Sequence, residues 1–305
     1  MDIISVILNI LTSGLPACLV ALGIFISYRL LDMADLTCEG SILLGGAGTL
    51  SLIVCGVNPF LATLIGALFG VVTGLITGLL ITKLHIAPLL SGIITLTACT
   101  SIAFIIIGWS KDGQIFANLV ALNDEKTIFD YLHIFSKRLS PLNEVIVSLI
   151  IVIVVVVALY YFFGTEIGMS IRATGMNPQM ARAEGINTTM VTIFGLALSN
   201  FVIALGGSLF AQDLKSMEIK SSSGFLVIGL ASIILGESIF GKKTFKSWII
   251  SVTLGGIIYY AIITIAIELG FPTNLKNLLY AILITIALCI PLIKKIFRKK
   301  GDIKC

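Results

Sequence analysis

Apolar residues run in long blocks along this chain, and the polar residues gather in short breaks between them. Nine blocks stand out: residues 4–28, 38–56, 59–82, 87–108, 143–163, 190–211, 223–240, 247–267 and 275–293. Most are about 20 residues long, and a helix of that length crosses about 30 Å of hydrocarbon. The pattern predicts an all-α fold, a membrane-spanning bundle of about nine helices forming one domain over 1–305. The second and seventh blocks are short and glycine-bearing, as spans broken or buried within a bundle often are.

Composition agrees with this. The 305 residues are 57% hydrophobic and 12% charged, and the mean hydropathy is +1.10. Soluble domains carry about 25% charged residues, so a soluble fold is excluded. The formal net charge of +4 then reports topology, and no nucleic-acid partner is expected. With the C-terminus inside, thirteen of the 20 lysines and arginines fall on the inner side, including Arg29, Lys83, Arg172, Arg182, Lys242 and the tail "KKIFRKKGDIK". The positive-inside rule therefore puts the C-terminus in the cytoplasm and the N-terminus outside. Residues 164–189 become a cytoplasmic connection and 109–142 an external loop. The start "MDIISVILNILTSG" lacks a basic n-region and reads as a retained helix.

The third block reads "GALFGVVTGLITG", and Gly66, Gly70, Gly74 and Gly78 share one helical face. Small residues at this spacing admit a second backbone, either inside the bundle or in a dimer. Polar residues within or just before apolar blocks are candidates for a translocation path or gate: Asp35, Glu39, Ser41 and Asn200. Asp32, Asp35 and Glu39 fall on one helical face, with Arg29 placed to pair with Asp32. Glu39 reads equally as part of the path or as a cap at its helix N-terminus. Asn200 suits an interhelical hydrogen bond or a substrate contact. In the external loop, Ile128, Tyr131, Leu132 and Phe135 follow a helical spacing, with Asn123 or Asp124 as the cap.

Six cysteines are scattered without a C-x-x-C pair and there are two histidines, so neither a metal site nor a cofactor is expected. "GESIFGKKT" from Gly236 to Thr244 imitates a phosphate loop, but Lys243 occupies the hydroxyl position and the flanking pattern is helical. Nothing else suggests a catalytic centre or an ATPase of its own.

"SIRATGMNPQMARAEGI" (Ser170 to Ile186) carries Arg172, Ala173, Gly175, Asn177, Pro178, Ala181, Arg182, Gly185 and Ile186. This pattern resembles the cytoplasmic signature of the branched-chain amino acid and ribose-type permeases of bacterial ABC importers. "DLTCEGSILLGGA" and "IILGESIFGKKT" resemble two further segments of that family, in the same order. Within it, "TCEGS" and the short N-terminus look most like the branch predicted to carry tryptophan, tyrosine or related compounds. The resemblance implies a permease in the cell membrane whose partners are a second permease copy, two ATP-binding subunits and an external substrate-binding lipoprotein. It also implies that 164–189 holds a coupling helix seated in the ATPase. Pro178 suits a helix start and Gly185 a stop, which predicts a helix from Pro178 to Glu184. Branched-chain amino acid or sugar import, and a carrier working alone, are the alternatives.

Overall fold

The computed structural model describes residues 3–110, 117–123, 125–131 and 140–271, together with 278, 279, 281, 282 and 285. Among these are eight helices long and apolar enough to span a membrane. Helix α1 covers Ile3–Phe25 and ends in a π turn, Ile26–Leu30. It is followed by α2 (Thr37–Val54), α3 (Pro59–Thr82) and α4 (Pro88–Ser110). A one-turn α5 (Ile128–Tyr131) precedes α6 (Ser140–Phe162). Two short helices come next, α7 (Glu166–Met176) and α8 (Pro178–Ala183). Then come α9 (Thr188–Leu214), α10 (Phe225–Phe240) and α11 (Phe245–Glu268). The first eight apolar blocks each coincide with one spanning helix to within a few residues. The ninth, 275–293, falls almost wholly outside the described residues.

Helices α1, α2 and α9 form the centre, while α3, α4 and α6 turn much of their surface outward. On α3 the outward face is Leu61, Leu64, Leu68, Val72 and Leu79, all about half exposed. The opposite face carries the four glycines. A Cβ at Gly70 would strike the carbonyl of Asn200, one at Gly74 that of Leu196, and one at Gly78 the backbone of Ile193. Gly66 meets Thr49 and Ser208. The glycine row is thus the seam between α3 and α9 with α2, so its smallness serves packing within one chain.

The helical plan holds, and a short antiparallel ribbon, β1 (Leu119–Ala121) with β2 (Ser216–Glu218), is added to it. Backbone entering between helix ends needs partners, and each strand supplies the other's. In the external loop, α5 starts at neither Asn123 nor Asp124. Its first turn opens at Thr127, whose amide and hydroxyl both donate to the Asp130 carboxylate, at 3.0 and 2.9 Å. This is the carboxylate half of a capping box, while the Asp130 amide bonds the Thr127 carbonyl and not its hydroxyl. Asp124, Leu132 and Phe135 lie outside the described residues.

Candidate functional site

Polar side chains line the seam where α2, α3 and α9 meet. Asn200 donates to Asp35 Oδ2 at 2.8 Å and to the Leu196 carbonyl at 3.0 Å. Its oxygen accepts from Ser41 at 2.7 Å, and Ser41 lies 2.6 Å from the Thr73 hydroxyl. One turn away, Thr37, Thr77 and Thr95 form a chain of hydroxyls at 2.7 and 2.9 Å. Farther along, Thr49 bonds Ser208 at 2.9 Å and Gln212 bonds Thr63 at 2.8 Å. Asp35 is 4% exposed, and Ser41 and Asn200 are not exposed at all. In hydrocarbon each unpaired polar group is costly, so a row of mutually paired ones joins the helices firmly. These three residues were expected at a path or gate. They meet in this conformation as a mutually hydrogen-bonded joint, with both the oxygen and the nitrogen of the Asn200 amide engaged.

The spacing of Asp32, Asp35 and Glu39 does not describe one helix. Asp32 adopts a left-handed backbone, φ 54°, which breaks the chain there. Arg29 accordingly pairs with Glu237 of α10 at 2.6 Å and not with Asp32. Asp35 accepts from the Thr37 amide at 2.8 Å and so serves the start of α2.

Glu39 matches neither earlier reading fully. Its Oε1 accepts from the amide of Gly224 at 2.9 Å. Gly224, at φ 92°, is the residue before α10. The carboxylate therefore caps a helix, but a different one from its own. The geometry explains why. After β2 the chain dips along α2, with Met217 beside Gly46 and Gly224 beside Glu39. Seven residues of α2 separate those levels, about 10 Å. Non-helical backbone at such depth persists only where protein satisfies it, and Glu39 does so at its deepest point.

At the opposite end from the ribbon sits the α7–α8 segment. Thr165 caps α7 and Asn177 caps α8, accepting from Gln179 and Met180 at 3.0 and 3.1 Å. Helix α8 runs from Pro178 to Ala183, and Gly185 closes it at φ 85°. The segment is welded to the bundle. Gly175 lies directly on the Leu30 backbone and Gly168 on that of Phe162. The Arg172 guanidinium stacks 4.6 Å above the Phe245 ring. Arg182 Nε donates to Thr188 at 2.8 Å, Ala181 is buried, and Ala173 accepts from the Asn177 amide. The outer face leaves Met176 88% and Met180 61% exposed.

The same end gathers basic residues. Glu237, besides Arg29, accepts from the Trp248 indole at 2.8 Å, and Lys242 lies over that ring. Sequence reasoning missed Glu237; an acid in the last turn of an apolar helix, opposite Arg29, was the available signal. In the phosphate-loop look-alike, Gly236 packs on the Ser251 carbonyl and Thr244 caps α11. Both residues have structural work of their own.

Residues 6–288 match the family described as branched-chain amino acid transport system / permease component. A tyrosine transport system permease protein from Clostridioides difficile is 34% identical over 278 residues, covering 91% of this chain and 88% of that one. A fructose import permease protein from Bifidobacterium longum is 24% identical, over 88% of this chain and 72% of its own. A ribose import permease protein from Bacillus subtilis is 27% identical, over 66% and 59%. No solved structure matches the chain significantly. Such permeases work with ATP-binding subunits and substrate-binding proteins. With eight spanning helices and a family match over nearly its whole length, the chain belongs to this permease family and is a multi-pass membrane subunit of an ABC importer.

Proposed function

We propose that this permease imports an aromatic amino acid, and that α7 and α8 receive the movement of the ATP-binding subunits. The carrying observation is the pair of exposed methionines. Met176 and Met180 lie outside every spanning helix yet offer bare apolar surface, beside Arg182. Flexible thioethers on an exposed patch suit docking to protein. The segment's weld to Leu30, Phe162 and Phe245 would carry a push from that patch into α1, α6 and α11, the kind of rigid-element shift that switches transporters. The excess of lysine and arginine at this end supports a cytoplasmic position for it. Two copies of the permease and two ATP-binding subunits complete the assembly, as the family resemblance implies.

The substrate reading rests on the tyrosine permease relative, which matches more closely and over more of both chains than the two sugar permeases. A sugar is the second reading, carried by those two. Two experiments test the proposal. Met176→Asp combined with Met180→Asp should leave membrane insertion unchanged and abolish co-purification of the ATP-binding subunits. Retention of the subunits by that variant overturns the coupling assignment. Uptake of labelled tyrosine by the assembled system should be competed by phenylalanine or tryptophan and not by ribose; the reverse result assigns a sugar.

A further inference from the structure

A groove runs between α6 and α11 on the outer surface of the bundle. Two cavities make it up, of about 220 and 320 Å³, and they share Val156, Val157 and Ile250. Its walls are two helical stripes. One passes through Leu149, Val152 and Val156 to Tyr160, and the other runs back from Lys246 through Ile250 and Leu254 to Ile257. The run "VIVVVV" (152–157) explains why the two helices leave a gap, since valine is too short to fill space that leucine or phenylalanine would occupy. Buried Leu15, Val152 and Ile249 form the floor, while Ile153, Val157 and Ile250 at the rim are about half exposed. In the deeper half the hydroxyl of Thr253 is already bonded to the Ile249 carbonyl at 3.0 Å.

The two ends differ. Lys246, Tyr160 and Tyr161 meet at one. Leu15, near the middle of α1, lies at the other. Each stripe spans eleven residues, Leu149 to Tyr160 and Lys246 to Ile257, about 16 Å of helix. That is half of a hydrocarbon core about 30 Å thick, so the groove reaches from the headgroup level, where tyrosines collect, to the bilayer centre. Lys246 is exposed and forms no ion pair among the described residues, and no carboxylate lines the groove with it. Lys242 and Lys243 stand exposed just before α11. A slot one leaflet deep with positive charge at its mouth complements an acyl chain under an anionic headgroup. A helix laid in the slot would cover the apolar walls and leave the lysine unanswered.

We infer that this groove holds one anionic phospholipid, an acyl chain along the valine face of α6 and the phosphate at Lys246 and the two tyrosine hydroxyls. Bound there, it ties α6 to α11 beside Phe245, on which Phe163 and Arg172 also pack. The leaflet it belongs to, and any effect on coupling, rest on the proposed function; the binding itself does not.

Native mass spectrometry of the full-length permease, delipidated in detergent, tests it with phosphatidylglycerol and phosphatidylcholine of the same chains. One phosphatidylglycerol per chain should bind about fivefold tighter than phosphatidylcholine, the effect of one lysine beside an anionic headgroup. Lys246→Gln should erase that preference. Lys83→Gln, at the same end but away from the groove, should keep it. Val157→Phe puts a ring where the two cavities join, at a position already exposed, and should weaken both lipids. Equal binding of the two lipids by the unsubstituted chain, or equal losses from Lys246→Gln and Lys83→Gln, overturns the site. Displacement of the lipid by glycerol 3-phosphate at equal concentration overturns the lipid in favour of a soluble anion. Val157→Phe splitting a permease dimer while lipid binding persists overturns it in favour of a second copy. Loss of the ATP-binding subunits from the Met176 and Met180 variant bears on the coupling role and leaves these results standing.

Discussion

Glu39 shows how a charge comes to sit inside an apolar bundle. Its sequence position suggested two ordinary roles, path residue or cap of α2. The structure gives it a third, holding the amide of Gly224 where α10 begins at depth. Removing the acceptor strands that amide among apolar neighbours. Glu39→Ala should therefore lower unfolding stability by about 1–2 kcal/mol, the range of a lost helix cap. Glu39→Gln keeps an oxygen acceptor and should cost less than half as much. Thermal unfolding of the two purified variants checks this; equal losses would mean that the charge itself matters, as a path role requires. The residue's type and burial were legible in the sequence. Its partner was not, because Gly224 lies 185 positions away and nothing local encodes that meeting. Arg29 teaches the same point. Local spacing favoured Asp32, and the left-handed turn at Asp32 removed the helix on which that pairing depended.

Helices were read well where one physical rule decides them and poorly where two compete. Spans follow from the cost of unpaired backbone in hydrocarbon, so their ends fell within a few residues of expectation. Helix α8 follows from Asn177-Pro178 and Gly185, which cap and stop a helix by local geometry alone. The β ribbon was missed because three-residue strands carry no periodicity, and their stability comes from pairing across almost a hundred residues. The Thr127–Asp130 pair was legible but was passed over for a more polar neighbour. On α3 the glycine spacing showed that a backbone approaches without showing whose. The structure answers with α9. Gly70→Ala drives a methyl group into the Asn200 carbonyl, so it should destabilise the folded monomer by about 1–3 kcal/mol, an overpacking cost. The Gly48→Ala contact is with the Phe69 ring edge, a side chain that can swing aside, so that variant should lose less. Thermal unfolding reads both. Light scattering on the detergent-solubilised protein should show an unchanged oligomeric state for Gly70→Ala, since this face is spent within the chain; a shift to monomer with unchanged stability would return the glycines to a dimer interface.

At the scale of the molecule the charges sort themselves by end. The pairs and stacks of Arg29, Arg172, Arg182 and Lys242 cluster around α7, α8 and the start of α11. Lys215 and Lys220 flank the ribbon at the other end. Counting along the sequence assigned these groups to opposite sides of the bilayer, and the folded bundle puts each group together in space, as a chain threaded back and forth must. Which end faces the cytoplasm follows only from the positive-inside rule, and a labelling experiment decides it. Cys55 is exposed just after α2, at the ribbon end, where the seam residues Thr49 and Thr63 also lie. Gln179 sits on the exposed side of α8. In a background whose other cysteines are replaced by alanine or serine, a membrane-impermeant maleimide should label Cys55 in intact protoplasts. With Cys55 also replaced, Gln179→Cys should react only after the membrane is opened. Reversed labelling would turn the molecule over, place the methionine patch outside, and remove α7 and α8 from reach of any ATP-binding subunit, which would end the proposed coupling role.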